Sequence, residues 1–184
     1  MNLFFRLFWL ILVARFRSSC SPLGPCRTPF RVWPTDLDVL RHVNNGVYLS
    51  IMDLGRMDLL RRSGLLRPIL ARGWYPVATG ETIQFLRSLE LFDRFVIETR
   101  VLGWDDKYIL LEQRFERRGE TAAIAVVAGR FLARGGGTVT PEQILGVTGE
   151  ALRRPELPEP VAKWHADQLA WRERVRGAGR ESGS

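Results

Sequence analysis

Between Thr35 and Arg56 the chain reads TDLDVLRHVNNGVYLSIMDLGR. The residues able to do chemistry crowd its first half: Asp36, Asp38, His42, Asn44 and Asn45 fall within ten positions, directly ahead of an apolar stretch. Polar groups set against a buried element cost free energy unless they are hydrogen-bonded or used. A carboxylate such as Asp38 can act as a base on water or attack an electrophile directly. No G-x-S-x-G elbow is present, and neither Cys20 nor Cys26 has an activating neighbour in sequence, so a carboxylate is the remaining candidate. Each residue also has a structural reading. Asp38 can close a turn, Asn44 or Asn45 can cap a helix, His42 can serve as a neutral hydrogen-bonding group, and Tyr48 can be core. Asp53 can pair with Arg56 three residues on, and Arg87 can be surface.

These residues need a strand behind them and a helix in front. Residues 29–33 alternate like a strand, and Pro34 ends it. Residues 44–63 read as the long internal helix. One row runs Val47, Ile51, Leu54 and the Met57/Asp58 turn, and a second runs Tyr48, Met52, Gly55 and Leu59. Two rows predict a helix buried on most of its circumference. Gly55 in mid-helix costs about 1 kcal/mol against alanine, which points to close approach of another backbone, and Gly64 is a helix stop. The start of this helix offers unpaired backbone N–H groups and the positive end of the macrodipole.

Residues 64–76 read as a turn or short helix. Thr82–Leu89, Phe95–Leu102, Tyr108–Glu116 and Thr121–Ala133 then read as strands, with hairpin turns at Asp105-Asp106 and Arg118-Gly119. The expected class is α+β: one central helix wrapped by a curved antiparallel sheet of about five strands, with extra helices at both termini. Thr140-Pro141-Glu142-Gln143 is a capping box opening a helix. A proline-rich spacer, 155–160, precedes a terminal helix over Val161–Val175 and a frayed tail from Gly177. The expected organisation is an apolar helix and linker over 1–28, a core over 29–135, and a helical extension with a disordered tail over 136–184.

The chain has 184 residues, 46% hydrophobic and 26% charged, with a formal net charge of +7. That excludes a disordered or disulfide-dense chain. Among 27 basic residues only Lys107 and Lys163 are lysines. The arginines are scattered among 20 acids, without the stripe and interleaved aromatics of a nucleic-acid binder, though their planar forks suit phosphates. Cys20 and Cys26 give only a weak metal or disulfide signal and fit a reducing compartment. Residues 1–16 read as a helix with three destinations: packed on the domain or a partner subunit, lying in a membrane interface, or serving as an export signal. Its apolar run is too short to span a bilayer, and Arg15 and Arg17 stand where a cleavage site would need small residues.

Thr35-Asp36-Leu37-Asp38-x-x-x-His42-Val43-Asn44-Asn45-x-x-Tyr48, followed by Asp53 and Arg56, resembles the signature of hot-dog fold acyl-CoA thioesterases of the 4-hydroxybenzoyl-CoA type, in the branch that keeps T-D-L-D before the His. Ile83–Arg87 with Phe92-Asp93 resembles the family's second strand and its turn, and the likeness covers about residues 29–135. It implies a hot-dog fold and hydrolysis of an acyl-CoA, a step of fatty-acid metabolism, to free acid and CoA. By that resemblance Asp38 is the catalytic carboxylate, the N–H of Asn45 belongs to the oxyanion hole, and His42 with the Asn44 and Asn45 side chains orients Asp38 or the water. Tyr48, Asp53, Arg56 and Arg87 are candidates for substrate contact, and Asp53 stands where a second branch places its catalytic acid. No metal or organic cofactor is implied. A homodimer or homotetramer is, with sheets paired edge to edge and sites at the interface, and the expected location is cytoplasmic with a peripheral membrane contact through residues 1–16. One departure stands out: Arg41 replaces the glycine the family carries before the His. The dehydratase pattern H-x-x-x-P-x-x-P-G is absent. The rival expectation is a catalytically silent hot-dog protein, an acyl-binding or membrane-associated module.

Overall fold

The computed structural model describes residues 3–13, 16–149 and 152–181. In chain order these form α1 (Leu3–Val13), β1 (Cys26–Arg31), α2 (Asn45–Arg62), α3 (Leu66–Ala71), β2 (Trp74–Phe85), β3 (Arg94–Trp104), β4 (Ile109–Arg117), β5 (Glu120–Ala133), β6 (Thr138–Val139), α4 (Pro141–Leu145) and α5 (Glu159–Glu181). All strands pair antiparallel in one sheet ordered β1-β3-β4-β5-β2, with β6 added against β5. The sheet curls around α2, as the two apolar rows require. Tyr48, Ile51 and Met52 pack on Phe95, Ile97, Phe115 and Val127, and Leu59 closes a second cluster with Ile69, Phe131 and Ile144.

Aromatic rings form a ladder across the sheet beneath α2. Phe30 stacks on Phe95 (5.8 Å between centroids), Phe95 on Phe115 (5.9 Å), Phe115 meets Tyr48 (5.0 Å), and Tyr48 meets Phe85 edge-on (4.9 Å). Such offset and edge-on pairs add to plain area burial. The ladder runs from edge strand β1 to edge strand β2 and fixes where Tyr48 and Phe85 end up.

Several boundaries differ from expectation. The first strand is Cys26–Arg31 rather than 29–33, with Pro29 inside it; β1 is an edge strand, where a missing N–H can face outward. Strand β2 begins at Trp74, well before Thr82. Pro76 and Gly80 masked this half, yet it is also an edge and carries a bulge between Ala78 and Gly80. Beyond residue 135 the core continues, because β6 pairs with β5 and Ile144 and Leu145 of α4 are buried. The last helix runs on through Gly177 to Glu181 rather than fraying there, while the expected tail over 182–184 lies outside the described residues. So do residues 1, 2, 14 and 15 of the helix expected over 1–16. Gly55 is approached by side chains rather than backbone: a Cβ there would stand 2.9 Å from Gln113 Nε2 and 3.1 Å from Thr99 Oγ1. Both cysteines are free thiols, Cys26 buried.

Candidate active site

The segment between β1 and α2 is held by its own polar groups. A short 3-10 turn, Pro34–Asp36, leaves the strand. Asp36 is buried, accepts from the Trp33 N–H (2.7 Å), and forms a buried ion pair with Arg6 of α1. Its carbonyl accepts from the Asn44 N–H (2.8 Å). Leu37 and Val43 form an antiparallel bridge, so the five residues between them make a closed loop. Asp38 sits at its shoulder. Its Oδ1 accepts from the N–H of Leu40 (2.9 Å) and of His42 (3.1 Å), and its own N–H donates to the His42 carbonyl (2.8 Å). Asp38 therefore closes the turn and lines the cleft at once. Among the described residues Oδ2 carries no hydrogen bond.

Arg41 occupies the tight corner of this loop with φ +65°. It takes up the left-handed backbone a glycine adopts freely. A side chain thus stands at a corner where glycine would be free of strain.

Asn44 is the N-cap of α2, its Oδ1 accepting from the Gly46 N–H (2.8 Å). That leaves the Asn45 N–H, in the first turn, without an intrahelical acceptor and at the positive end of the helix. A cleft of about 290 Å³ opens at this point, lined by Asp38, His42, Asn45, Tyr48, Phe85 and Arg87 among others. Tyr48 is buried, and that burial pushes its phenol pKa up against the opposing effect of a hydrogen bond with the Leu89 backbone. Tyr48 is thus both core and cleft wall. Arg87 reaches Glu120 at 3.3 Å, an exposed pair worth little by itself.

Asp53 and Arg56 are not brought to this cleft. They pair with each other, and Arg56 also meets Glu81 (2.8 Å) and donates to Gln113 Oε1 (2.7 Å). Gln113 is fully buried and donates in turn to the Met52 carbonyl (2.9 Å) and Thr99 Oγ1 (3.0 Å). Sequence reasoning missed this network because Gln113 looks like an ordinary strand residue; the glycine opposite it was the available signal. It also missed Asp58, fully buried on α2, which accepts from Thr28 Oγ1 (2.7 Å), Arg17 (3.2 Å) and Arg62 (3.2 Å).

The sequence profile of the thioesterase-like superfamily matches residues 32–165, from the end of β1 into the start of α5. The chain belongs to that superfamily. Protein THEM6 of Xenopus laevis is 37% identical over 134 residues, covering 72% of this chain and 63% of the frog protein. Protein THEM6 of Danio rerio is 31% identical over 164 residues, covering 88% of this chain and 79% of the fish protein. Among solved structures, the probable thioesterase YbaW of Escherichia coli superposes with a TM-score of 0.61 at 24% identity, covering 65% of this chain and 92% of that one. The curled sheet around one helix is therefore the hot-dog fold of this superfamily. The chain spans about two thirds of the length of the frog relative.

Proposed function

We propose that the protein hydrolyses an acyl-CoA thioester to free acid and CoA at the cleft in front of α2. The observation that carries this reading is the meeting of Asp38, Asn45 at the start of α2, and the Tyr48/Phe85 wall in one opening. A thioester carbonyl is electrophilic because sulfur donates weakly into it. Asp38, with Oδ1 fixed by two N–H donors, uses Oδ2 to take a proton from water, or attacks the carbonyl itself. Oxygen adds, the carbonyl becomes an oxyanion, and the Asn45 N–H together with the helix dipole stabilises it. The carbonyl then re-forms and the CoA thiolate leaves, protonated on the water route by the acid Asp38 has become. On the direct-attack route it takes its proton from water, and the acyl group stays on Asp38 as a mixed anhydride that a second water hydrolyses to the free acid, restoring the carboxylate. His42 and Asn44 act on the loop: the His42 amide holds Asp38, and the Asn44 side chain sets the first turn. Family membership supports the reaction class, and the resemblance in the loop supports the residue roles.

The test is thiol release over short, long and aromatic acyl-CoAs. Wild type turns over at least one class, and Asp38→Asn lowers kcat by about 10²–10⁴ with little change in KM. Equal turnover in the variant overturns the assignment of Asp38. No turnover with any thioester leaves the silent acyl-binding module as the reading of this cleft.

The cleft also argues for a partner copy. Val39 is 97% exposed, and Leu40, Phe85 and Leu86 are exposed as well. Exposed apolar side chains on the Asp38 loop and at the end of β2 suit an interface. Edge strand β2 ends at Phe85, so pairing of two copies along it places the neighbour against the site. A dimer or larger assembly is the expected result in sedimentation. At the other end, Phe8, Leu12 and Phe16 stand exposed on and after α1, and a peripheral membrane contact follows from that face. No helix among the described residues is long and apolar enough to cross a bilayer. Co-flotation with vesicles that is lost in Phe8→Glu checks the contact.

A further inference from the structure

A second cavity, of about 630 Å³, lies at the opposite edge of the sheet, between α1 and strands β1 and β3. Its size falls in the range of ligand pockets, about 300–1,000 Å³. Its walls are of two kinds. Phe5 and Trp9 of α1 face Pro29 and Val96, which are directly paired across β1 and β3, and this part is apolar. The lining also carries charge: Glu116, register partner of Val96, is ion-paired to Arg27, and Arg31, Arg94 and Arg118 add positive charge that is unpaired among the described residues.

These three arginines are exposed, yet they differ from the other strand arginines in their surroundings. Arg31 and Arg94 are register partners, directly opposite on neighbouring antiparallel strands. Like charges in that relation destabilise a sheet. Elsewhere the molecule places acids beside its strand arginines: Arg27 meets Glu98 and Glu116, and Arg100 meets Glu112. Among the described residues no carboxylate pairs with Arg31, Arg94 or Arg118. Arg31 is also held in place, its Nε donating to the Phe92 carbonyl (3.3 Å) and its guanidinium stacked over Trp33 and Phe92. Arg118 presents its side chain from a turn with φ +52°, a backbone that favours glycine. Positive charge without a carboxylate partner thus borders an apolar trough, where a guanidinium fork can bind carboxylate or phosphate oxygens in pairs.

We propose that this groove binds a single-chain amphiphile with an anionic headgroup, its chain along Phe5, Trp9, Pro29 and Val96 and its head among Arg31, Arg94 and Arg118. The site is separate from the cleft at Asp38 and does not depend on the reaction proposed there. The headgroup chemistry is that of a fatty carboxylate or a lysophospholipid phosphate, and the experiment separates the two.

Trp9 and Trp33 line the groove, and no tryptophan lines the Asp38 cleft. Trp74, Trp104, Trp164 and Trp171 lie elsewhere, so tryptophan quenching by brominated stearate, brominated lysophosphatidate and the neutral brominated fatty alcohol that is present in the wild type and lost in Trp9→Phe/Trp33→Phe reports on this site. The full chain is titrated below each probe's aggregation concentration. One or both anionic probes are expected to bind at one per chain, with the tighter one naming the headgroup, and the alcohol at least tenfold more weakly. Arg94→Glu places a carboxylate opposite Arg31, so it is expected to keep or raise the melting temperature while weakening anionic binding at least tenfold. Arg118→Glu, outside the sheet, is expected to weaken it as well. Both variants keep their thioester turnover, and Asp38→Asn keeps its groove binding. Equal binding of the alcohol, unchanged affinity in both arginine variants, or quenching only above the aggregation concentration overturns the proposal; the last would make α1 a lipid-surface contact alone.

Discussion

Arg41 is a residue whose backbone is set by its neighbours rather than by itself. Asp38 accepts two N–H bonds on one side of it, the Leu37–Val43 bridge closes the loop on the other, and the corner between them needs φ +65°. A side chain in that conformation costs about 1 kcal/mol relative to glycine. Arg41→Gly is therefore expected to raise unfolding free energy by about 0.5–1 kcal/mol, net of the entropy glycine adds to the unfolded chain, as read from denaturant midpoints. Arg41→Val, branched at Cβ, is expected to destabilise and to lower turnover with it, because the loop would yield around Asp38. The glycine variant should keep wild-type kcat. At this scale the sequence was informative where chemistry clusters locally. Asp38, His42, Asn45 and Tyr48 lie close along the chain, and their placement around one cleft follows from a strand end meeting a helix start. Arg87 joins them only through the sheet. The Arg6–Asp36 pair was not readable, since its partners are 30 residues apart and nothing local ties α1 to that turn.

At the scale of elements, α2 and the sheet are fitted to each other at Gly55. The missing side chain lets Gln113 reach the Met52 carbonyl and Thr99 Oγ1 while holding Arg56 by its other amide atom. Gly55→Ala inserts a Cβ 2.9 Å from Gln113 Nε2, so helix and strand must part or the amide must turn away. Despite the better helix propensity of alanine, a loss of about 1–3 kcal/mol is expected from overpacking, measured by thermal or urea unfolding. Gln113→Ala alone leaves Arg56 and the Met52 carbonyl short of a partner. The double variant should cost less than the sum of the two singles, since the shorter side chain makes room for the methyl. The helix was legible because two apolar rows over 18 residues admit few other readings. The first half of β2 was not. Proline and glycine break a central strand, but at an edge with a bulge neither prevents pairing, and edge status is a property of the sheet rather than of the segment.

Over the whole molecule, the last helix returns to the sheet and is fastened at the β3–β4 turn. His165 of α5 is buried with Nε2 2.9 Å from Asp105 Oδ2, and its ring meets Tyr108 edge-on. Arg172, two turns on, donates to the Tyr108 hydroxyl (3.0 Å) and to the Thr79 carbonyl on β2 (2.6 Å). Burial pushes the Asp105 carboxyl pKa up, but hydrogen bonds from the Lys107 and Tyr108 amides and from His165 outweigh it and hold the pKa below the usual carboxylate value. A carboxylate depressed in the folded state stabilises that state above its ordinary pKa, and the contribution is lost as pH falls through the depressed one. Acidification below about pH 4 is therefore expected to loosen α5 before the sheet opens, seen as lost amide protection in α5 while β4 and β5 stay protected. Asp105→Asn keeps acceptors for the Lys107 and Tyr108 amides but removes the charge facing His165. In that variant α5 is expected to exchange faster already at neutral pH and to show no further acid step. If the acid step persists unchanged in Asp105→Asn, a different carboxylate fastens the helix, and Asp105 serves only the turn.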